Sequence, residues 1–106
     1  MEVLINKCFG GFSVSKKAVE DIGKLGDYLN SRVVNTGGED VVYDDELRYN
    51  DALIKLYKEK GSEYISGSFA ELELVEIPDE ATDYKLYEYD GNEWVVYVLG
   101  GKLVEV

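Results

Sequence analysis

The apolar positions of this chain come in short blocks whose spacing changes from one segment to the next. Val3-Leu4-Ile5, inside Glu2 to Lys7, predicts a strand at the start. Ser15 follows as an N-cap, with Val14 and Val19 at the N′ and N4 positions of a hydrophobic staple, so a helix is expected from Lys16. Val19, Ile22, Leu25 or Gly26, and Leu29 keep helical spacing, but Gly23 and Gly26 each weaken a helix by about 1 kcal/mol relative to alanine, and its second half is expected to fray or end early. Val33-Val34 and Val41-Val42-Tyr43 flank Asn35-Thr36-Gly37-Gly38, a composition that suggests a hairpin with a flexible tip. A second helix is framed by Asn50 as N-cap and Gly61 as stop, with Asp51 in the first turn and Leu53, Ile54 and Tyr57 on one face.

The period then shortens to two. From Phe69 to Ile77 a strand carries Ala70, Leu72 and Leu74 on one face and Glu71 and Glu73 on the other, until Pro78-Asp79 ends it, and half of it is expected to face water. The last third reads as a meander: Tyr84 to Tyr89, an Asp90-Gly91 turn, Glu93 to Leu99, a Gly100-Gly101 turn, and Lys102 to Val106. Both dipeptides suit the positive φ angles of tight hairpin turns. The expected fold is α+β: a single domain over residues 1-106, with an antiparallel sheet made of the N-terminal strand and the C-terminal meander, and two helices packed on one face.

Composition supports a folded chain, since Pro78 is the single proline and 45% of residues are hydrophobic. The longest uncharged apolar stretch, Trp94 to Leu99, falls far short of the roughly 18 residues of a membrane span, and the start lacks a signal-peptide core. A soluble protein of the cytoplasm is expected, with no membrane partner. The lone Cys8 cannot form an internal disulfide and reads as a small packed hydrophobe; as a nucleophile it would have only Lys7 or the helix N-terminus to activate it.

Charge narrows the partners. The net charge of −11 argues against direct nucleic-acid binding. It is also uneven: residues 71–106 carry ten acids against Lys85 and Lys102, a balance of −8, whereas residues 1–25 are nearly neutral. The chain has no histidine, which removes histidine-based acid–base catalysis, the usual nucleophile–histidine pairs and histidine metal ligands. Asp44-Asp45-Glu46, and Asp79-Glu80 with Asp83, lack the spacing of a calcium loop and read as capping and solvating acids. No enzyme activity, metal or cofactor is expected.

Two binding readings remain. In the first, an acidic, aromatic surface of Glu71, Glu73, Tyr84, Tyr87, Glu88, Tyr89, Asp90 and Glu93, helped by Trp94, meets the basic groove of a partner protein. Against it stands the reading that acids keep the chain soluble while the aromatics are ordinary cross-strand partners. In the second, Gly10-Gly11 and the amides opening the first helix hold a phosphorylated, nucleotide-like molecule, with Lys7 or Lys16 as counter-charge, Phe9 or Phe12 stacking, and Ser13 and Ser15 beside them. No phosphate-loop or dinucleotide spacing of glycines is present, and the same residues read equally as a turn with two core phenylalanines.

Three segments in order carry a resemblance: Asn6-Lys7-Cys8-Phe9-Gly10-Gly11-Phe12-Ser13-Val14-Ser15; Arg48 to Gly61; and Phe69-Ala70 through Leu74-Val75-Glu76-Ile77-Pro78-Asp79 to Tyr87-Glu88-Tyr89-Asp90-Gly91. They resemble a family of small phage and prophage proteins with no established activity, which open with N-K-C-[FY]-G-G-F-[SG] and later carry V-E-I-P-D and E-Y-D-G. The chain departs from that pattern at Asp51, where members often have proline, and in the apolar hairpin Trp94 to Val106, where they often end in a short polar tail. The resemblance implies an accessory protein of a phage or mobile element acting in a bacterial cytoplasm, a class that often antagonises host defence. The expected partner is therefore a host protein, such as a nucleic-acid-binding defence protein. A homo-oligomer is left open, with Trp94 to Val98 either a core strand or an edge that pairs with a second copy.

Overall fold

The computed structural model describes residues 1–24 and 41–106. In chain order these form β1 (Glu2–Asn6), β2 (Val14–Ser15), α1 (Lys16–Lys24), β3 (Val41–Val42), a 3-10 helix (Asp45–Tyr49), α2 (Asp51–Lys60), α3 (Ser62–Ile65), β4 (Leu72–Glu76), β5 (Asp83–Tyr89), β6 (Asn92–Leu99) and β7 (Lys102–Glu105). The class is α+β, and every strand pair is antiparallel.

β1 organises the molecule. Its Val3, Leu4 and Ile5 are all buried, because a strand covered on both faces leaves no position for a polar side chain. Leu4 faces one apolar cluster with Val19, Ile22, Leu53, Ile65 and Leu72, where the helices pack. Val3 and Ile5 face a second cluster with Ile77, Val95 and Tyr97, supplied largely by the meander. Two cores thus share one strand.

Local chemistry sets the helix ends. The Ser15 hydroxyl accepts from the Ala18 amide at 3.1 Å, and Val14 and Val19 lie buried in one cluster, as the staple predicts. Asn50 Oδ1 accepts from the Leu53 amide at 2.9 Å, and Gly61, at φ 89°, closes α2 by donating to the Tyr57 carbonyl at 2.8 Å. A short third helix, α3, follows Gly61 and was not foreseen from the sequence. Both meander turns carry two successive positive φ angles, 52° and 90° at Asp90-Gly91, and 58° and 78° at Gly100-Gly101, which match the right-handed twist of the flanking strands.

The sheet divides differently from the expectation. β1 pairs with β4, Leu4 opposite Leu74 and Ile5 opposite Glu73, while β5-β6-β7 form a separate three-stranded sheet laid against the other face of β1. The two sheets stay separate because the meander lies over the Val3 and Ile5 side chains, while the edge of β1 away from β4 meets the side chains of Arg48 and Glu93 and no strand among the described residues. The strand expected over Phe69 to Ile77 is confined to Leu72–Glu76, and its second face is only partly wet, since Val75 packs on the meander cluster. Of the expected Val33–Tyr43 hairpin, the Val33-Val34 arm and the Asn35–Gly38 tip lie outside the described residues, as do Leu25, Gly26 and Leu29; Val41–Val42 pairs with Val14–Ser15. Cys8 is half-buried, its sulfur 3.1 Å from the Phe69 carbonyl oxygen, at a loop junction and not inside a core. Among the described residues no helix is long and apolar enough to cross a membrane.

Three tyrosines tie the elements together with protonated phenols. The Tyr64 hydroxyl donates to Asp21, and this bond, then burial, holds its pKa above the ordinary 10.0. Burial and then a 3.0 Å bond to Glu73 do the same for Tyr57, and burial and then a bond to Tyr84 do so for Tyr49. The unfolded chain therefore releases these protons first as pH rises, so stability is full below pH 10.0 and falls above it. Melting curves taken from about pH 9 to about pH 11 are expected to show a declining Tm, and Tyr57→Phe is expected to flatten the decline.

Candidate functional site

The meander gives the candidate surface its two faces. Its register sets Tyr87 opposite Trp94, Lys85 opposite Val96, Asp83 opposite Val98, and Val98 opposite Leu103, and these residues share the outer face. Tyr84, Leu86, Glu88, Glu93, Val95 and Tyr97 alternate with them and share the inner face. On the outer face the rings of Tyr87 and Trp94 stack with centroids 5.8 Å apart, and the Lys85 ammonium sits 5.2 Å from the Tyr87 ring centre. Val96 and Val98 are half-exposed and Leu103 is 76% exposed. Such residues are ordinarily turned inward. Here no described element lies over them, and Asp83, Asp90 and Glu105 stand exposed at the margins.

The inner face ends in a buried polar junction. Glu93 is only 5% exposed, and its carboxylate accepts both guanidinium nitrogens of Arg48, at 2.7 and 2.5 Å, and the Asn6 amide at 2.7 Å. Arg48 also reaches Asp45 at 3.2 Å and lies over the Phe12 ring, 4.0 Å from its centre. Burial pulls the Arg48 pKa down, but the pairing with Glu93 outweighs it and leaves the guanidinium above its usual value. The Asn6 side chain extends the junction: it donates to the carbonyls of Cys8 and Gly91 and accepts from the Glu71 amide, at 2.8, 2.7 and 2.8 Å. This group joins β1, the 3-10 helix and the β5–β6 turn.

The eight residues expected to form one acidic, aromatic surface are consequently spread over several. Tyr87 and Tyr89 lie on the outer face with Trp94. Glu93 must be corrected out of the contact surface, because it lies in phase with Val95 and Tyr97 and is buried against Arg48. Glu88 is exposed, with its carboxylate accepting from the Gly91 amide at 2.9 Å; Tyr84 stands at the inner-face edge, and Asp90 occupies the turn. Glu73 is half-buried on the Tyr57 hydroxyl, and Glu71 is exposed just before β4, away from the meander face.

The glycine-loop residues are drawn into packing. Phe12 and Ser13 are buried, Phe9 is 67% exposed, and Lys7, Gly10 and Lys16 are exposed. A Cβ at Gly10 would strike the Phe69 carbonyl, and one at Gly91 would strike the Gly11 amide and the Phe9 carbonyl, so both glycines serve close backbone approach. Ser15 already occupies the Ala18 amide and donates to the Tyr64 carbonyl at 2.8 Å. The cleft that Gly11 and Phe12 do line, of about 400 Å³, is walled by Asp44, Asp45 and Glu88 beside a guanidinium committed to Glu93. Its charge is wrong for a phosphate.

Sequence reasoning missed Arg48, Asn6, Val96, Val98 and Leu103. The signal was in the register: the two-residue turn at Asp90-Gly91 sets Glu93 on the side of Val95 and Tyr97, which marks an inward charge in need of a partner. No protein family, no curated protein and no solved structure matches this chain.

Proposed function

We propose that this is a non-enzymatic accessory protein of a phage or mobile element that binds a host protein in the bacterial cytoplasm and inhibits it through the outer face of the meander sheet. The observation that carries the reading is the Tyr87–Trp94 stack continuing through Val96, Val98 and Leu103 on a face no described element covers. Rigid aromatics supply contact area at small entropic cost. The marginal Asp83, Asp90 and Glu105, on a chain of net charge −11, suit a partner whose apolar patch is ringed by arginine or lysine, as in the nucleic-acid groove of a defence nuclease.

The test is capture from bacterial lysate at low and high salt, with heat-released small molecules analysed in parallel. Leu103→Lys is expected to weaken capture by at least about tenfold with Tm unchanged, because the side chain touches little of the fold and a charge there repels a basic partner. Asp83→Lys with Glu105→Lys is expected to remove the salt sensitivity. Capture that ignores all three substitutions, or a released phosphorylated molecule with no protein partner, overturns the reading.

A further inference from the structure

β6 is the middle strand of the meander, so pairing with another chain falls on β5 or β7. β7 has four residues; β5 has seven, all exposed except the half-buried Leu86. The tight turn at Asp90-Gly91 makes Tyr89 and Asn92, Tyr87 and Trp94, and Lys85 and Val96 the hydrogen-bonded pairs, which aims the main-chain groups of Tyr84, Leu86 and Glu88 at the free edge. Asp83 Oδ1 accepts from the Tyr84 amide at 2.9 Å; the amides of Leu86 and Glu88 have no partner among the described residues. A seven-residue edge carrying free donors and acceptors is a template for another strand.

We propose that the protein forms a symmetric homodimer by antiparallel pairing of β5 with β5 of a second copy, centred on Leu86. The sequence of β5 is complementary to itself in that register. Leu86 faces the Leu86 of the second copy, Lys85 faces Tyr87, Tyr84 faces Glu88, and Asp83 faces Tyr89, so no like charges stand opposite and each lysine meets an aromatic ring. All seven residues pair. A shift one way sets Lys85 against its own copy, and a shift either way shortens the pairing. The product is a six-stranded sheet with two Tyr87–Trp94 faces side by side, which deepens the proposed function but does not depend on it.

Each copy carries −11, so salt strengthens this dimer by screening, whereas it weakens attraction to a basic host protein. Sedimentation equilibrium of the full chain is expected to give twice the 11.9 kDa chain mass, with tighter association at high salt. Glu88→Pro removes an edge amide without touching the β6 ladder and is expected to weaken association at least tenfold, with folding checked by circular dichroism; Leu103→Lys is expected to leave it intact. In a Cys8→Ala background, mixing a Lys85→Cys chain with a Tyr87→Cys chain is expected to yield the mixed disulfide under mild oxidation. A monomer at every salt concentration, or a dimer indifferent to Glu88→Pro that gives no mixed disulfide, overturns the proposal. Salt-weakened capture of a host protein by such a monomer would leave the surface reading standing.

Discussion

Glu93→Ala is expected to lower the free energy of unfolding by about 3–5 kcal/mol, a large share of the total for a domain of this size. The substitution removes the acceptor of both Arg48 nitrogens and of the Asn6 amide, and leaves a guanidinium in a site where it is 6% exposed. A buried charge left with only the exposed Asp45 as its ionic partner is what makes the loss large, since the intact pair gains little over an apolar replacement of the same volume. Chemical denaturation of Glu93→Ala, Arg48→Met and the double variant separates these contributions. The double variant is expected to be more stable than Glu93→Ala alone. Equal losses in Glu93→Ala and at an exposed acid such as Glu105→Ala would show that the junction carries no special weight.

Gly91→Ala is expected to cost about 3 kcal/mol or more, from two causes that add. The residue sits at φ 90°, where a side chain costs about 1–2 kcal/mol, and its Cβ would collide with the Gly11 amide and the Phe9 carbonyl, an overpacking worth about 1–3 kcal/mol. Gly11→Ala supplies the contrast, because at φ 87° it suffers the strain alone with open space where the Cβ would go. It is expected to fold, at a cost of about 1 kcal/mol. Thermal melts of the two variants side by side check the ranking, and a Gly11→Ala loss equal to that of Gly91→Ala would contradict it. The glycine pair thus divides its work: Gly10 admits the Phe69 backbone and Gly11 supplies the turn.

The elements with their own chemistry were legible in the sequence. Ser15, Asn50, Gly61, Asp90-Gly91 and Gly100-Gly101 each impose a cap or a φ sign within a few residues, and each stands where it was read. The partner of β1 was not legible, because Val3-Leu4-Ile5 fits any edge that offers apolar neighbours, and the choice of β4 rests on packing between distant segments. The same holds for the candidate surface. Acids and aromatics alternate along β5 and β6, so composition merged two faces that the pleat separates, and an inward Glu93 looked like one more surface acid. Arg48 follows Leu47 in a 3-10 helix whose pattern gave no period to read.

That β1 belongs to both cores has a consequence in time. Its pairing partner, Leu72–Glu76, and the Val95 and Tyr97 that cover its other face are made some seventy to ninety residues later. During synthesis the helical cluster can therefore gather on the Leu4 face first, while Val3 and Ile5 stay uncovered until the meander has been made. Closure of the second core is thus a late event that depends on long loops, and until then the Val3 and Ile5 face of β1 is a place where a chaperone would find a grip.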